Sequence, residues 1–175
     1  MTPHLPPWSA WFLAAAAVVV TAAGTPAASA ADGHAARGWP PLDSPVEPLT
    51  MVAGADIPAR PWLAGHRGID LAASAGQVVF SPADGVVSFA GVVVDRPVVT
   101  VRLGDGRRSS VEPVTATIAR GTPVSRGDPV GVVADAPGHC DPAACVHWGV
   151  RDGETYLDPL DLLVGFGPVR LLRVW

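Results

Sequence analysis

From Trp62 onward, short runs of β-branched residues alternate with turn-forming clusters at intervals of about ten residues. A chain punctuated this often cannot build long helices, so it must fold as strands joined by turns. The predicted strands are 77–80, 86–90, 97–103, 107–111, 130–133 and 145–151. Ser81-Pro82-Ala83-Asp84-Gly85 turns the first of these. Gly104-Asp105-Gly106 joins the third to the fourth as a hairpin. Arg126-Gly127-Asp128-Pro129 and Asp152-Gly153 are further turns. Only 158–164 reads as helical, for a turn or two. The expectation is an all-β chain: a single antiparallel sheet or sandwich domain with long loops.

The ends differ from this middle. Residues 11–23 are apolar and rich in Ala and Val, and Ala28-Ser29-Ala30 follows as a cleavage pattern. That run is shorter than the roughly 20 residues a bilayer span needs. Residues 1–30 therefore read as a signal peptide, although no Lys or Arg precedes the run. An uncleaved anchor is the alternative, and either reading places the remainder outside the cytoplasm. Residues 31–61 read as a linker or N-terminal arm, 62–165 as one domain, and 166–175 as a C-terminal tail. A net charge of −4 argues against nucleic acid as a partner. No phosphate-binding loop is present, since Gly121, Gly127 and Gly131 fall at turns. The expected chain is a secreted monomer with no stable membrane association once the signal is removed.

The chemistry-bearing residues fall in two places. His66 and Asp70 lie in Gly65-His66-Arg67-Gly68-Ile69-Asp70-Leu71, and His147 lies in Cys145-Val146-His147-Trp148-Gly149. Two imidazoles and one carboxylate suit Zn²⁺, and three protein ligands leave a position open for water or substrate. The bland alternatives are a surface turn histidine, a turn-capping aspartate and a core histidine. In a strand, residues two apart share a face, so Cys145 and His147 would point the same way. Cys140 and Cys145 are an even pair, and an oxidising compartment favours a disulfide between them. Left reduced, Cys145 could instead become a fourth ligand and close the site.

The stretch 65–163 resembles the lysostaphin-like (LytM-type) zinc metallopeptidases, which cut peptide cross-links in bacterial cell walls. The likeness is carried by His66-Arg67-Gly68-Ile69-Asp70-Leu71, Pro82-Ala83-Asp84-Gly85-Val86-Val87, Val124-Ser125-Arg126-Gly127-Asp128-Pro129-Val130-Gly131, His147-Trp148-Gly149-Val150 and Tyr156-Leu157-Asp158-Pro159. It implies one Zn²⁺ held by His66, Asp70 and His147, a barrel-sandwich-related β fold and peptidoglycan peptides as substrates. Two further histidines usual in that family have no counterpart. Glu112 aligns with one and Cys145 with the other. These groups handle the proton of the attacking water, and losing such help costs about 10²–10⁴-fold. Glu112 is the candidate replacement base; the alternative is that it pairs with Arg108 or Arg102 across the hairpin. His139, in the preceding loop, is a weaker candidate.

Two functional readings follow: an exported zinc endopeptidase of the cell wall, or a degenerate relative that binds zinc and wall peptides or regulates another hydrolase. A third, the lysine-tethered swinging-arm domain, is excluded because all 12 basic residues are arginine.

Overall fold

The computed structural model describes Met1, residues 38–136, Cys140 and residues 144–165. The signal-peptide segment, His139 and the tail from 166 lie outside the described residues, apart from Met1. Among those described, the chain is strands and turns, as the spacing of turn residues requires. Strands β1 (Met51–Ala53), β2 (Ile69–Ala72), β3 (Val78–Phe80), β4 (Gly85–Val93), β5 (Arg96–Leu103) and β6 (Arg108–Glu112) come first. They are followed by β7 (Val114–Ala116), β8 (Pro123–Val124), β9 (Pro129–Val133), β10 (Cys145–Asp152) and β11 (Thr155–Leu157).

Eight strands form the larger sheet in the order β1-β2-β10-β6-β5-β4-β8, with β11 paired to β10. The order β3-β9-β7 makes a second, three-stranded sheet. All the strand pairings are antiparallel. The chain changes sheets at Pro113, between β6 and β7. A residue without a backbone N–H cannot continue the ladder, so it is a natural exit point.

Alternation along the central strands sorts side chains by face. Val99, Val101, Val111, Trp148 and Val150 point inward and are buried, joined by Val79, Val114, Val130 and Val133 of the small sheet. Trp148 is fully buried, and its indole N–H donates to Ser109 Oγ at 2.9 Å, so its one polar atom is satisfied. The opposite face of β5, β6 and β10 carries the polar residues and forms the floor of a cleft.

Two findings depart from the sequence reading, and one narrows it. The described part of the arm is packed: Leu42 and Val46 are fully buried and belong to the hydrophobic core. Leu42 also exchanges backbone hydrogen bonds with Leu162 and Val164, at 2.7 and 3.1 Å. The helical stretch is one 3-10 turn, Pro159–Leu162, capped by Asp158, whose side chain accepts from Leu160 N–H at 2.9 Å. Strand β4 extends to Val93 and reverses at Val94, which has φ of 59° and is nearly fully exposed. A β-branched residue is disfavoured there, so no local signal marked this turn.

Candidate metal centre

β2 and β10 lie side by side with Asp70 directly opposite His147. His66 precedes β2 and is fixed by a β-bridge to Asp56, with two backbone hydrogen bonds of 2.8 and 2.9 Å. One run around β2 and the distant strand β10 thus bring three donor atoms together. His66 Nε2 lies 3.1 Å from Asp70 Oδ1 and 3.0 Å from His147 Nδ1, and His147 Nδ1 lies 3.0 Å from Asp70 Oδ1. Asp70 is 3% exposed, so its carboxylate faces this cluster and not water.

The supporting atoms orient these donors. His66 Nδ1–H donates to the Gly54 carbonyl at 2.6 Å. A carbonyl can only accept, so Nδ1 carries a proton and Nε2 is the nitrogen turned inward. Burial holds the His147 imidazole below the ordinary histidine range, against the opposing pull of the Asp70 carboxylate. Its neutral, ligand-competent form is therefore favoured near neutrality.

Gly68 makes room for this ring. A Cβ there would sit 2.3 Å from the Trp148 carbonyl and 2.8 Å from His147 Cε1 and Nε2. The middle glycine of His-x-Gly-x-Asp is thus a steric requirement of the neighbouring strand, a role the sequence reading did not assign.

Glu112 stands directly opposite His147 on the other side, in β6. Its Oε1 accepts from Arg96 Nε at 3.0 Å. The ion pair is therefore with the first residue of β5 and not with Arg108 or Arg102. Those two pair across the hairpin with each other's backbone while Glu112 lies four residues further along β6. Glu112, His66 and His147 all line a cleft of about 580 Å³. Cys140 and Cys145 are joined in a disulfide, and its sulfurs lie within 4.8 Å of the Asp70 carboxylate. The bridge rules out Cys145 as a thiolate ligand in this form. His139 lies outside the described residues, so nothing places it.

Peptidase family M23 matches residues 64–159, more than half of the chain and the whole of this cleft. The chain belongs to peptidase family M23. It is 40% identical over 138 residues to the uncharacterized protein Rv2891 of Mycobacterium tuberculosis, covering 77% of this chain and 53% of that protein. The chain thus spans about half the length of the curated relatives it matches. Among solved structures, it is similar to Helicobacter pylori Csd3, with a TM-score of 0.59 and 25% identity over 71% of this chain and 35% of that one. Lysostaphin shares the fold, with a TM-score of 0.53 and 19% identity over 67% of this chain and 51% of its own.

The donor set fits the metal that the M23 resemblance implies. With its Nδ1 engaged by the Gly54 carbonyl, His66 turns Nε2 toward the Asp70 carboxylate oxygen 3.1 Å away, two donor types that Zn²⁺ accepts. Atoms separated by 3.0–3.1 Å can each also lie about 2.0–2.2 Å from one shared point, the distance for Zn–N and Zn–O bonds.

Proposed function

We propose that the chain is an exported zinc metallopeptidase acting on the peptide cross-links of peptidoglycan. The observation that carries this reading is the convergence of His66, Asp70 and His147 at the floor of an open cleft large enough for a peptide. The family match supports the peptidase chemistry. The apolar segment at 11–23 with its Ala-Ser-Ala site supports export. Among the described residues no helix is long and apolar enough to cross a membrane.

His66, Asp70 and His147 would hold the ion. A bound Zn²⁺ at such a site lowers the pKa of its water to about 7 and polarises a carbonyl. The remaining work falls to residues of the chain. Gly54 fixes the tautomer and direction of His66. Asp70, opposite His147 and nearly buried, orients both imidazoles. Glu112, held by Arg96 on the cleft floor beside His147, accepts the proton of the attacking water and returns it to the leaving amine. Thr100 and Ser110, whose hydroxyls hydrogen-bond at 2.9 Å, offer the substrate backbone polar partners on the same surface.

Two observations favour a second reading, a wall-peptide-binding domain that no longer cuts. Glu112 is already engaged by Arg96, and the disulfide removes Cys145 from proton transfer. Metal analysis of the full chain, together with chromatography of cross-linked muropeptides incubated with it, separates the two. One zinc per chain and metal-dependent cleavage are expected. Zinc without cleavage of any cross-linked muropeptide would leave the binding domain.

A further inference from the structure

The exposed face of β10, β6 and β5 is a grid whose rows follow the strand register. The first row holds His147 and Glu112, directly opposite each other. Two residues along comes Gly149, Ser110 and Thr100. Two residues further comes Arg151, Arg108 and Arg102, paired opposite one another across three adjacent strands. Like charges directly opposite on neighbouring strands destabilise a sheet. Three in a row therefore need a reason, above all in a chain whose net charge is −4.

Nothing among the described residues neutralises them. Arg102, Arg108 and Arg151 make no ion pair or side-chain hydrogen bond with any described residue, and neither does Arg120, which borders the same surface. The arginines elsewhere on the cleft behave differently. Arg96 is engaged by Glu112 and Asp95, and Arg67 by the carbonyls of Pro61 and Leu63. No acidic side chain lines the depression of about 510 Å³ that holds the arginine row. That depression is continuous with the metal cleft, since Arg151, Thr100, Val93 and Val98 line both.

We propose that Arg102, Arg108 and Arg151, bordered by Arg120, form an anionic subsite that binds the carboxylates of the wall peptide about 13 Å along the sheet from the metal ligands, four residues at about 3.3 Å each. Guanidinium groups bind carboxylates bidentately, and a row of three suits a peptide bearing more than one acid. The small middle row leaves the floor flat between the two sites, so one extended ligand reaches both. This deepens the wall-peptide reading and rests on it: the substrate is acidic, and its charged part lies on the β5–β6 hairpin side of the bond to be cut.

The test uses the full chain and two fluorescent probes, an uncross-linked muropeptide with free carboxylates and the same muropeptide with its carboxylates amidated. Binding is read by anisotropy. Wild type should prefer the acidic probe, and Arg108→Gln should bind it about tenfold more weakly while its weak hold on the amidated probe stays unchanged. Arg102→Gln combined with Arg108→Gln should weaken the acidic probe further. Arg60→Gln, an exposed arginine away from both depressions, controls for net charge and should change nothing. Thermal melts of Arg108→Gln should be unchanged or raised, because the substitution relieves like-charge repulsion; this guards against a folding defect. Equal affinity of wild type for both probes overturns the subsite. If such a protein still cleaves cross-linked muropeptides, the peptidase reading survives alone. Acid-dependent binding without cleavage would keep the subsite and sink the peptidase. No binding of either probe overturns the subsite and the wall-peptide reading together.

Discussion

His147 illustrates how closely one side chain can be constrained. Asp70 flanks it on one strand, Glu112 on the other, and Gly68 lies against its ring. Replacing His147 with Ala should remove most of the zinc from the purified chain, as measured by elemental analysis; retention of a full equivalent would refute its place as a ligand. Gly68→Ala should act from outside the ligand set. Its Cβ collides with the Trp148 carbonyl and the imidazole, so zinc affinity should fall although every donor remains. Glu112→Gln keeps the shape and removes the base. It should lower kcat by about 10²-fold or more with zinc content unchanged. Activity that survives this substitution intact would remove Glu112 from the mechanism. His66, Asp70 and His147 stood out in the sequence because their types and spacing suit metal chemistry, and the fold brings the three together. The partner of Glu112 was not, because Arg96 reaches it through the pairing of β5 with β6.

The β5–β6 hairpin carries a second polar lock, remote from the cleft. Arg107 has a fully buried side chain whose Nε and Nη2 donate to Asp105 Oδ2 at 2.8 and 2.6 Å, while Nη2 also donates to the Pro40 carbonyl at 2.7 Å. The Trp39 ring lies 5.1 Å from the guanidinium. Arg107 is fully buried while Asp105 reaches the surface, so Asp105→Ala strips the buried guanidinium of its carboxylate and should lower the unfolding free energy measurably in denaturant titrations. Burial alone would raise the Asp105 pKa, but the hydrogen bonds and charge of Arg107 outweigh it and leave the carboxyl below its ordinary 3.8. The sign follows: a depressed folded-state pKa gives stability that is complete above the unfolded value. That contribution is lost as pH falls below 3.8 through the lower folded one. Acid titration of the wild type and Asp105→Asn should therefore converge below that range. The hairpin was legible in Gly104-Asp105-Gly106, with Gly106 at φ of 94°, where glycine is favoured. Nothing local announced that its arginine would be buried under the arm.

That arm ties the molecule together. Leu42 is fully buried, bonded through its backbone to the chain around Leu162 and Val164, and Arg107 is held to Pro40 from the hairpin. Leu42→Ala should cost about 2–5 kcal/mol, as for other buried leucines, and a melting curve insensitive to it would show the arm to be dispensable. The Cys140–Cys145 bridge should be found by non-reducing peptide mapping of the purified protein, and alkylation of both thiols without reductant would refute it. The all-β class, the glycine-marked turns, several of the core strands and the grouping of His66, Asp70 and His147 as candidates were contained in the sequence. Turn chemistry, alternation and ligand type are local properties, and local properties can be read from neighbouring residues. The burial of the arm, the clearance at Gly68, the Arg96–Glu112 pair and the row Arg102, Arg108, Arg151 emerged only with the assembled sheet. Each depends on register between strands far apart in the chain, and register is set by the packing of the whole core.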